Sequence, residues 1–565
     1  MWRLILENFR QLIAASVERY GNRTAFTLKE GKGRYRDISY NRFGEDVRCL
    51  GQALLSRGYQ NQPVAIIGKN SYQWVLVNAA VQVAGGISVP LDKELKYDEF
   101  LECLIRSEVK AVFYDKKEKE NVEKAVASGL TKVEEAFPLF GITGDKKEET
   151  IFDLTGYGSA LLGNGETGID DVEIDGNRTS VLLFTSGTTS QSKIVMLSQK
   201  NIVSNVDSVM LLNIIREDDT NIALLPYHHT FGGTGQWVML AAGARTVYCD
   251  GLKHIQSNFR EYGVSVFVGV PLIVETLYKR IKKTVESKKM SGRVMALRLM
   301  TRGLDKAGID VRRKVFSGIQ DALGGHMRMV VLGAAAADPE CIKALNDFGI
   351  TCIQGYGLTE TSPILSAERP DHLRSGSVGL PLPGIEMKID MPDDNGVGEI
   401  LAKGNNIMAG YYGNKEATDQ VLEDGWFHTG DLGRRDKDGY FYITGRKKNV
   451  IVLRNGKNVF PEELEQEVSQ LPYVLENIVL GVPDGGDERD PVVTLKLVYN
   501  PDSFPGKTSE EIYDLVKNDV EKINDTTPPY KRIRKIMVTD EPMIKTSTGK
   551  VRRFMELQKI TEENA

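Results

Sequence analysis

Short apolar segments alternate with longer amphipathic segments from about residue 60 to residue 380. Seven of the apolar segments are rich in valine and isoleucine, and they read PVAIIG, KAVFYD, SVLLFT, NIALLP, RTVYC, VSVFVGV and RMVVLGA. Many of them are separated by stretches whose apolar residues recur at the spacing of a helix. This alternation is typical of parallel sheets covered by helices, and it predicts an α/β architecture for this part of the chain.

The pattern changes after residue 380. Segments such as VGEILAKG and DGYFYITG combine short strands with glycine and aspartate turns until about residue 445, which indicates a β-rich subdomain. Beyond Arg446, strand-like and helix-like segments such as VVTLKLVY and SEEIYDLVKNDVEKIN predict a smaller α+β unit. Residues 141–178 are polar and rich in glycine and aspartate, so we expect an irregular connection there.

Two apolar segments require a decision about membranes. Residues 1–21 mix apolar with charged positions, which predicts an amphipathic helix and not a secretory signal. Packing of this helix on the protein surface is favoured, and peripheral contact with a membrane is left open. The most apolar window, residues 72–91, is interrupted by polar, glycine and proline residues, so it predicts a buried helix followed by a strand and no transmembrane span.

Composition narrows the class of protein. The chain has 565 residues, enough for two or more domains, and its net charge of −5 gives no general attraction to nucleic acid. Its five cysteines are scattered and form no CxxC pair. That argues against a disulfide framework or a cysteine zinc site, and it fits a reducing, cytoplasmic setting.

The hydroxyl-rich stretch FTSGTTSQSK, residues 184–193, is the first candidate for chemistry. It follows an apolar strand and precedes a helix for which Ser198 is a plausible N-cap, so it is predicted to be a loop. Backbone amides, hydroxyls and a lysine can together surround a polyphosphate; a polar surface turn is the alternative. The loop is not a Walker A motif, because counting from Gly187 places Ser192 and Ile194 where that motif requires glycine and Ser/Thr.

Other polar turns are less specific when taken singly. In QGYGLTET, Gly355 and Gly357 would let the backbone approach a ligand, Tyr356 offers a ring for stacking, and Glu360 could hold Mg²⁺. In GWFHTGD, Asp431 could accept hydrogen bonds from ribose hydroxyls or could form an Asx turn. The stretches GRKKN and KTSTGKVRR place lysines in loops where charge is usually just solvated.

Together, these segments resemble the adenylate-forming superfamily, which includes AMP-forming acyl-CoA synthetases, firefly luciferase and peptide-synthetase adenylation domains. The resemblance rests on seven segments in order across roughly residues 20–555: TSGTTSQSK, LPYHHTFG, LGAAAADPE, QGYGLTET, GWFHTGD, GRKKNVIV and KTSTGKVRR. Two further segments, VGVPLIVETLYKRI and NGKNVFPEELEQEV, are most similar to the long-chain fatty acyl-CoA synthetase branch.

The resemblance implies a fold and a division into domains. Its fold class is α/β and α+β: a large N-domain, residues 1–446, would contain two αβ subdomains and a β-barrel subdomain and would bind ATP and the acyl group. A small mobile α+β C-domain, residues 447–565, would carry the catalytic lysine. The activity implied is activation of a carboxylic acid, expected to be a medium- or long-chain fatty acid, to an acyl-adenylate and then transfer to CoA.

The resemblance also implies roles for individual residues. The phosphates of ATP would be held by Thr185, Ser186, Gly187, Thr188, Thr189 and Lys193. Adenine would lie against Gly333, Ala334 and Ala335 and would stack on Tyr356 beside Gly357. Thr359 would contact the α-phosphate, Glu360 would hold Mg²⁺, Asp431 would bind the ribose and Arg446 would close on the nucleotide. Lys448 would be the hinge of the C-domain, Lys550 its catalytic lysine, and His229 would lie by the acyl carboxylate, where Thr230–Gly235 leaves space for an acyl channel.

The chemistry explains why these parts are needed. A carboxylate attacks the α-phosphate of ATP to form an acyl-adenylate with AMP as its leaving group, and cationic groups must offset the repulsion between the two anions. A rotating C-domain would then remove the lysine and admit the thiol. Two alternatives remain at this stage: transfer to the phosphopantetheine of an acyl carrier protein, and a catalytically silent relative. The second follows from the loop 190–194, which lacks the two glycines and the proline usual in the family.

Overall fold

The computed structural model describes residues 6–141, 148–185, 192–454, 456–484, 487–545 and 551–563. Within these ranges the chain forms two compact units. The first contains residues up to 185, residues 193–387 and residues 402–427. The second consists mainly of residues 388–401 and the described part of residues 428–565.

The strands of the described residues are these, in chain order: β1 Thr24–Gly31, β2 Arg34–Ser39, β3 Pro63–Ile67, β4 Ile87–Leu91, β5 Ala111–Tyr114, β6 Glu135–Pro138, β7 Thr179–Phe184, β8 Ile194–Ser198, β9 Thr220–Ala223, β10 Arg245–Tyr248, β11 Val266–Gly269, β12 Met329–Leu332, β13 Thr351–Gly357, β14 Ile364–Ala367, β15 Leu380–Pro381, β16 Ile385–Asp390, β17 Gly398–Gly404, β18 Gly410–Tyr411, β19 Leu422–Glu423, β20 Trp426–Arg435, β21 Phe441–Arg446, β22 Ile451–Val452, β23 Asn458–Val459, β24 Val474–Asp484, β25 Asp487–Tyr499 and β26 Lys535–Thr539.

The α-helices of the described residues are these: α1 Phe9–Tyr20, α2 Tyr40–Ser56, α3 Tyr72–Val83, α4 Tyr97–Arg106, α5 Lys119–Ala127, α6 Ile151–Gly163, α7 Gly168–Asp171, α8 Gln199–Met210, α9 Thr230–Ala242, α10 Ile255–Tyr262, α11 Pro271–Ser287, α12 Ser291–Lys306, α13 Arg312–Val315, α14 Ser317–Ala322, α15 Pro339–Asp347, α16 Lys415–Asp419, α17 Pro461–Ser469, α18 Ser509–Thr526 and α19 Arg553–Glu563.

The first unit contains two largely parallel sheets. One has nine strands in the order β15-β14-β13-β12-β11-β9-β10-β1-β2, with parallel pairing from β13 to β1. The other has seven strands in the order β18-β8-β7-β4-β3-β5-β6, with parallel pairing from β7 to β6. Each sheet has its own apolar core, one including Phe259, Phe267 and Leu345 and the other including Val89 and Phe100. All seven valine- and isoleucine-rich segments form strands, and the mixed α/β fold with a large and a smaller part is confirmed.

The last part of the chain packs a three-stranded sheet, in the order β24-β25-β26, between helices. Alternate residues of β24 face opposite sides, as the two-residue period of a strand requires. Val479 joins the core that contains residues of α17 and α18, whereas Ile478 joins a cluster with Ile560 of α19. A further sheet has the order β16-β17-β20-β19, with β21 paired to β20. The predicted boundary after Arg446 stays a prediction.

The expectation of an irregular connection over residues 141–178 was wrong. A helix, α6, begins after Thr150, whose hydroxyl accepts from the amide of Asp153 while the Asp153 carboxylate accepts in return. The glycines that indicated a loop have another purpose, since a Cβ on Gly158 would lie 1.8 Å from the carbonyl oxygen of Cys49 on α2. Glycine therefore lets α6 pack closely on α2, and composition alone does not distinguish this use from a turn.

The N-terminal helix is packed on the first unit. Phe9 and Leu12 of α1 are buried, and the Arg10 guanidinium donates to the carbonyl oxygens of Val83, Ile169 and Val172. These contacts favour the packed interpretation of the segment over contact with a membrane. No helix among the described residues is both long enough and apolar enough to span a bilayer.

Candidate active site

Three of the predicted motifs meet at one edge of the nine-stranded sheet. Strands β9, β12 and β13 run parallel in this sheet, and each leads at its carboxyl end into a motif: LPYHHTFG, GAAAADPE and GLTET respectively. Carboxyl ends of parallel strands lie at the same edge, and ligands of open α/β sheets bind in the crevice outside that edge. The sheet topology therefore brings the predicted acyl, adenine and α-phosphate residues of this unit to one side.

The turn after β9 is held by its own backbone and by Asn70. The Asn70 amide nitrogen donates to the Leu225 carbonyl at 2.7 Å, and its oxygen accepts from the Tyr227 amide at 3.1 Å. His229 occupies the N-cap position of α9, and its ring centroid lies 4.2 Å from that of His228. Burial and the neighbouring His229 lower the pKa of His228 to about 3, so this imidazole is neutral at physiological pH.

The predicted acyl space beside His229 is partly filled. Gly232 is buried, and a Cβ there would lie 2.2 Å from the Pro226 carbonyl oxygen, whereas a Cβ on Gly235 would meet nothing within 4 Å. A mainly apolar cavity of about 20 Å³ lies at this position, with Phe231 and Met239 among its lining residues. This volume is about that of a single water molecule, so the acyl channel stays a prediction.

In the loop after β12, one of the three residues predicted to lie against adenine is buried and two are exposed. Gly333 lies beneath the ring of Phe231, because a Cβ there would be 2.9 Å from the Phe231 Cζ atom. Ala334 has a left-handed φ of 69°, and both Ala334 and Ala335 are exposed. The loop thus presents backbone and small methyl groups, which suits a flat ring such as adenine.

The turn after β13 has a structural reason for its glycines. A Cβ on Gly357 would lie 1.8 Å from the Pro363 carbonyl oxygen, and one on Gly355 would lie 3.2 Å from the Ser366 carbonyl oxygen. The glycines therefore permit the close antiparallel pairing of β13 with β14, and a ligand contact at Gly357 stays a prediction. Tyr356 and Thr359 are half-buried, and their roles stay predictions.

Tyr411 connects two of the predicted phosphate-site residues. Its hydroxyl donates to Oε1 of Glu360 at 2.9 Å, and its ring centroid lies 4.4 Å from the Lys193 Nζ atom. Strand β18 places the ring there, because Tyr411 pairs with Val195 directly after the loop. Burial and the nearby Glu360 carboxylate raise the pKa of Tyr411 far above its usual value, so the phenol stays a neutral donor.

The sequence reasoning missed Tyr411. The signal available was AGYYGN, an aromatic pair between glycines, but nothing local relates it to residues 51 positions earlier. The loop itself begins and ends as the sequence predicts: the Thr185 amide donates to the Lys193 carbonyl at 2.9 Å, so the stretch connects the antiparallel strands β7 and β8. Ser186, Gly187, Thr188 and Thr189 lie outside the described residues.

In the second unit, Asp431 and Arg446 are partners. They face each other on β20 and β21, and the Arg446 Nε atom lies 2.6 Å from Asp431 Oδ1. The Asp431 side chain is only 4% exposed, whereas that of Arg446 is 42% exposed. The carboxylate predicted to bind ribose is thus fixed by the arginine predicted to close on the nucleotide.

Glu399 on β17 supports the strand that carries Asp431. Its carboxylate accepts from the Gly430 amide at 3.0 Å and from Lys447 Nζ at 2.8 Å, and it lies 3.3 Å from His428 Nδ1. Although burial opposes ionisation, these hydrogen bonds hold the pKa of Glu399 below its usual value. No sequence motif singled out this residue; VGEILAKG indicated only a strand.

Of the two lysines predicted to act in the C-domain, the structure describes one. Lys448 is exposed in a short 3₁₀ turn directly after β21, which is compatible with the predicted hinge. Lys550 lies outside the described residues, and the described chain on either side pairs Lys545 with Val551. Lys545 also forms an ion pair with Glu476 at 2.5 Å.

Comparison with known proteins identifies two family matches. The model of the AMP-binding enzyme family matches residues 13–412, and that of the AMP-binding enzyme C-terminal domain matches residues 448–563. The first match alone covers more than half of the chain. These matches confirm the resemblance inferred from the seven segments.

Individual relatives are more distant. Long-chain-fatty-acid–CoA ligase 5 of Mus musculus is 27% identical, with 99% of this chain and 87% of that protein covered. ATP-bound MatB from Rhodopseudomonas palustris has a similar structure, with a TM-score of 0.75 at 23% identity and coverage of 99% and 100%. The anthranilate CoA ligase AuaEII in complex with anthranoyl-AMP has a TM-score of 0.76 at 21% identity, with coverage of 98% and 97%. At these identities, the two solved structures establish the shared fold and nothing finer.

Proposed function

The chain belongs to the family of AMP-binding enzymes, and on that premise we propose that it joins a medium- or long-chain fatty acid to CoA. ATP is cleaved to AMP and pyrophosphate in the first half-reaction, and the thiol of CoA displaces AMP in the second. The observation that carries the proposal is the linked set of Lys193, Tyr411 and Glu360 in the first unit. It supplies a cation and an oriented carboxylate next to the loop expected to hold the phosphates.

Lys193 and Thr185 border the phosphate loop on its two sides. Lys193 Nζ lies 4.4 Å from the centre of the Tyr411 ring, and a cation–π contact of this kind holds an ammonium in place without neutralising it. In this position the lysine would contact the polyphosphate. The hydroxyl-rich residues between the two, including Thr188 and Thr189, would supply further donors.

Glu360 fits a magnesium ion that is shared with the phosphates of ATP. Among the described residues no cluster of three or more Asp, Glu, His or Cys side chains could enclose a metal. Mg²⁺ commonly binds through one or two carboxylates together with substrate phosphates, so a single oriented carboxylate is an adequate donor set. When bound, the ion would reduce the negative charge on the phosphates. The Tyr411 hydroxyl fixes the carboxylate without adding positive charge.

The other residues at this sheet edge position the substrates. Tyr356 and the loop of Gly333, Ala334 and Ala335 flank the adenine, and Thr359 lies beside Glu360 as a donor for the α-phosphate. His229 at the start of α9 lies near the acyl carboxylate, and the apolar lining around Gly235 and Met239 suits the acyl chain. The Thr234 hydroxyl on α9 donates to the Ser362 carbonyl at 3.0 Å, which connects this helix to the α-phosphate turn.

The second unit contributes the remaining groups of the proposal. Asp431, oriented by Arg446, accepts hydrogen bonds from the ribose hydroxyls. Lys550 stabilises the negative charge that develops when the carboxylate attacks the α-phosphate. Lys448 is the residue about which the C-terminal part turns between the two half-reactions.

The choice of a fatty acid rests on relatives such as the mouse long-chain-fatty-acid–CoA ligase. A panel of acids with ATP, Mg²⁺ and CoA, followed as AMP formed, tests it directly. Medium- or long-chain fatty acids are expected to give the highest kcat/KM, above short dicarboxylic acids and aromatic acids. A preference for an aromatic acid would overturn the acyl assignment and leave the adenylating activity intact. Replacing CoA by a holo-acyl carrier protein tests the acceptor.

A further inference from the structure

Helix α12 has an apolar face that is turned towards solvent. Met295, Leu299 and Met300 have exposed fractions of 66%, 60% and 48%. Together with the exposed Gly292, Ala296 and Gly303 they recur at helical spacing and form one uncharged stripe over residues 292–303, and Lys306 is the next residue at this spacing, at the end of the helix. An amphipathic surface helix normally turns such a stripe inward, so this orientation is unusual.

Ion pairs on the opposite side of α12 fix this orientation. The Arg298 guanidinium lies 2.7 Å from the buried Asp347 carboxylate of α15 and 3.0 Å from Glu340, and Arg302 Nε lies 2.5 Å from Asp347. Rotating the helix to bury Met295 and Leu299 would leave the Asp347 carboxylate buried and unpaired, which is strongly unfavourable. The apolar stripe is therefore held in the solvent by the fold.

A dense positive charge lies next to this stripe. Residues 279–293, from the second half of α11 to the start of α12, contain seven lysines and arginines and one glutamate, although the whole chain has a net charge of −5. All seven are exposed: Lys279, Arg280, Lys282, Lys283, Lys288, Lys289 and Arg293. Tyr278 of α11 and Val294 and Leu297 of α12 pack against one small cluster around Phe316 and Phe348, so the exposed sides of both helices face away from the same layer.

We propose that the exposed faces of α11 and α12 form a docking surface for an anionic lipid bilayer. The apolar stripe enters the boundary between headgroups and acyl chains, while the lysines and arginines contact the anionic headgroups. An anionic bilayer presents negative headgroups over an apolar interior, so it matches both the net charge of six positive within fifteen residues and the exposed apolar stripe beside it. Among the described residues of α11 and α12, the exposed acids are Glu286, which is already counted in this net charge, and Asp305, which is paired with Arg312 at 3.1 Å.

The proposal is separate from the proposed function, since docking requires neither ATP nor an acid. A bilayer is nevertheless where long acyl chains concentrate, so the two are compatible. Because the binding assay contains no substrate, its failure would leave the ligase assignment unaffected.

Flotation of the full chain with vesicles tests the proposal. Wild-type protein is expected to bind vesicles of equimolar phosphatidylcholine and phosphatidylglycerol, to bind vesicles of phosphatidylcholine alone much less, and to bind less as salt is raised. Combining Met295→Gln, Leu299→Gln and Met300→Gln should weaken binding at least about tenfold, since the apolar insertion is lost. Combining Lys282→Gln with Lys283→Gln should weaken it by about thirtyfold, or about fivefold per charge.

Matched controls separate docking from general effects. Leu130→Gln removes a leucine that is 64% exposed after α5, and Lys116→Gln with Lys117→Gln removes another exposed lysine pair. Both controls should bind like the wild type. Exposed substitutions of this kind change stability by at most about 0.5 kcal/mol, so all variants should unfold at nearly the same temperature.

Three results would overturn the proposal. Absence of wild-type binding to the anionic vesicles is one, and equal binding by the wild type and the triple apolar variant is another. The third is a wild-type dimer in sedimentation that the triple apolar variant abolishes, which would assign the stripe to a second copy of the chain.

Discussion

Two carboxylates with proposed roles at the nucleotide are held by opposite kinds of partner. In the first unit, Glu360 accepts a hydrogen bond from the Tyr411 phenol at 2.9 Å. In the second unit, Asp431 is paired with the Arg446 guanidinium at 2.6 Å. The phenol is a neutral donor, because burial and the Glu360 charge raise its pKa, whereas a guanidinium is always charged.

The partner decides what each carboxylate can bind. The Tyr411 phenol orients Glu360 without bringing a positive charge to it, which suits a ligand for a cation such as Mg²⁺. Asp431 has its charge largely offset by Arg446, so it is better suited to accept hydrogen bonds from neutral hydroxyls such as those of ribose. The comparison predicts that loss of charge at the two positions has different consequences, and each of the following variants tests that difference.

The largest effect is expected from Glu360→Gln. This change keeps the shape and the acceptor oxygen but removes the charge, and losing one electrostatic group of this kind costs about 10²–10³ in rate. Pyrophosphate release should fall by that factor, and the Mg²⁺ concentration for half-maximal rate should rise. Glu386→Gln, at an exposed position on β16, is the matched control and should behave like the wild type. An unchanged magnesium dependence in Glu360→Gln would remove the metal assignment.

Asp431→Asn should have a smaller and different effect. An asparagine cannot provide the charge-assisted hydrogen bonds to Arg446 and ribose, each worth about 1.5–3 kcal/mol, so the KM for ATP should rise about 10- to 100-fold. The magnesium dependence should stay that of the wild type, which steady-state kinetics at varied Mg²⁺ will show. Asp438→Asn, at an exposed turn position, is the control. If Asp431→Asn changes the magnesium requirement as much as Glu360→Gln does, the distinction drawn between the two carboxylates is wrong.

Tyr411→Phe sharpens the comparison because it removes only the hydroxyl. A hydrogen bond from a phenol to a carboxylate contributes about 1.5 kcal/mol or more, so adenylation should fall about tenfold, with a higher magnesium requirement. Tyr412→Phe at the neighbouring position is the matched control and should retain wild-type activity.

Because the pKa of Tyr411 is raised, the wild type should show no loss of rate from tyrosine ionisation in the alkaline limb of its pH profile. A loss of rate near the ordinary tyrosine pKa that is absent from Tyr411→Phe would contradict this.

Local patterns predicted elements better than they predicted partners. The valine-rich strands and the helix after Ser198 follow from periodicity and capping, and the Ser198 hydroxyl does accept from the Asn201 amide. Helix α6 was missed because Gly158 serves a helix–helix contact that only the folded chain reveals. Glu360 and Asp431 were identified through motifs, but their partners were not. Tyr411 is placed by the pairing of β18 with β8, which are far apart in sequence, and Arg446 by the pairing of β21 with the neighbouring strand β20. A motif therefore identifies the functional carboxylate, whereas the strand topology determines which side chain binds it and whether that side chain is charged.

The smallest effect is expected from Glu399→Gln, which alters the support of Asp431 and not the carboxylate itself. The hydrogen bonds of Glu399 hold its pKa below the unfolded value of about 4.3, so its contribution to stability is present above that pH and is lost as pH falls through the lower folded pKa. At neutral pH the variant should lose about 1 kcal/mol of unfolding free energy, because glutamine replaces a charged acceptor. On acidification the wild type should lose more stability than the variant, so the two unfolding temperatures should converge. Thermal unfolding at neutral and acidic pH, with Glu386→Gln alongside, measures this.

Since Gly430 precedes Asp431 on β20 and donates to Glu399, the KM for ATP should also rise, but by less than in Asp431→Asn. A constant difference in unfolding temperature across this pH range would show that Glu399 acts through packing and not through its charge.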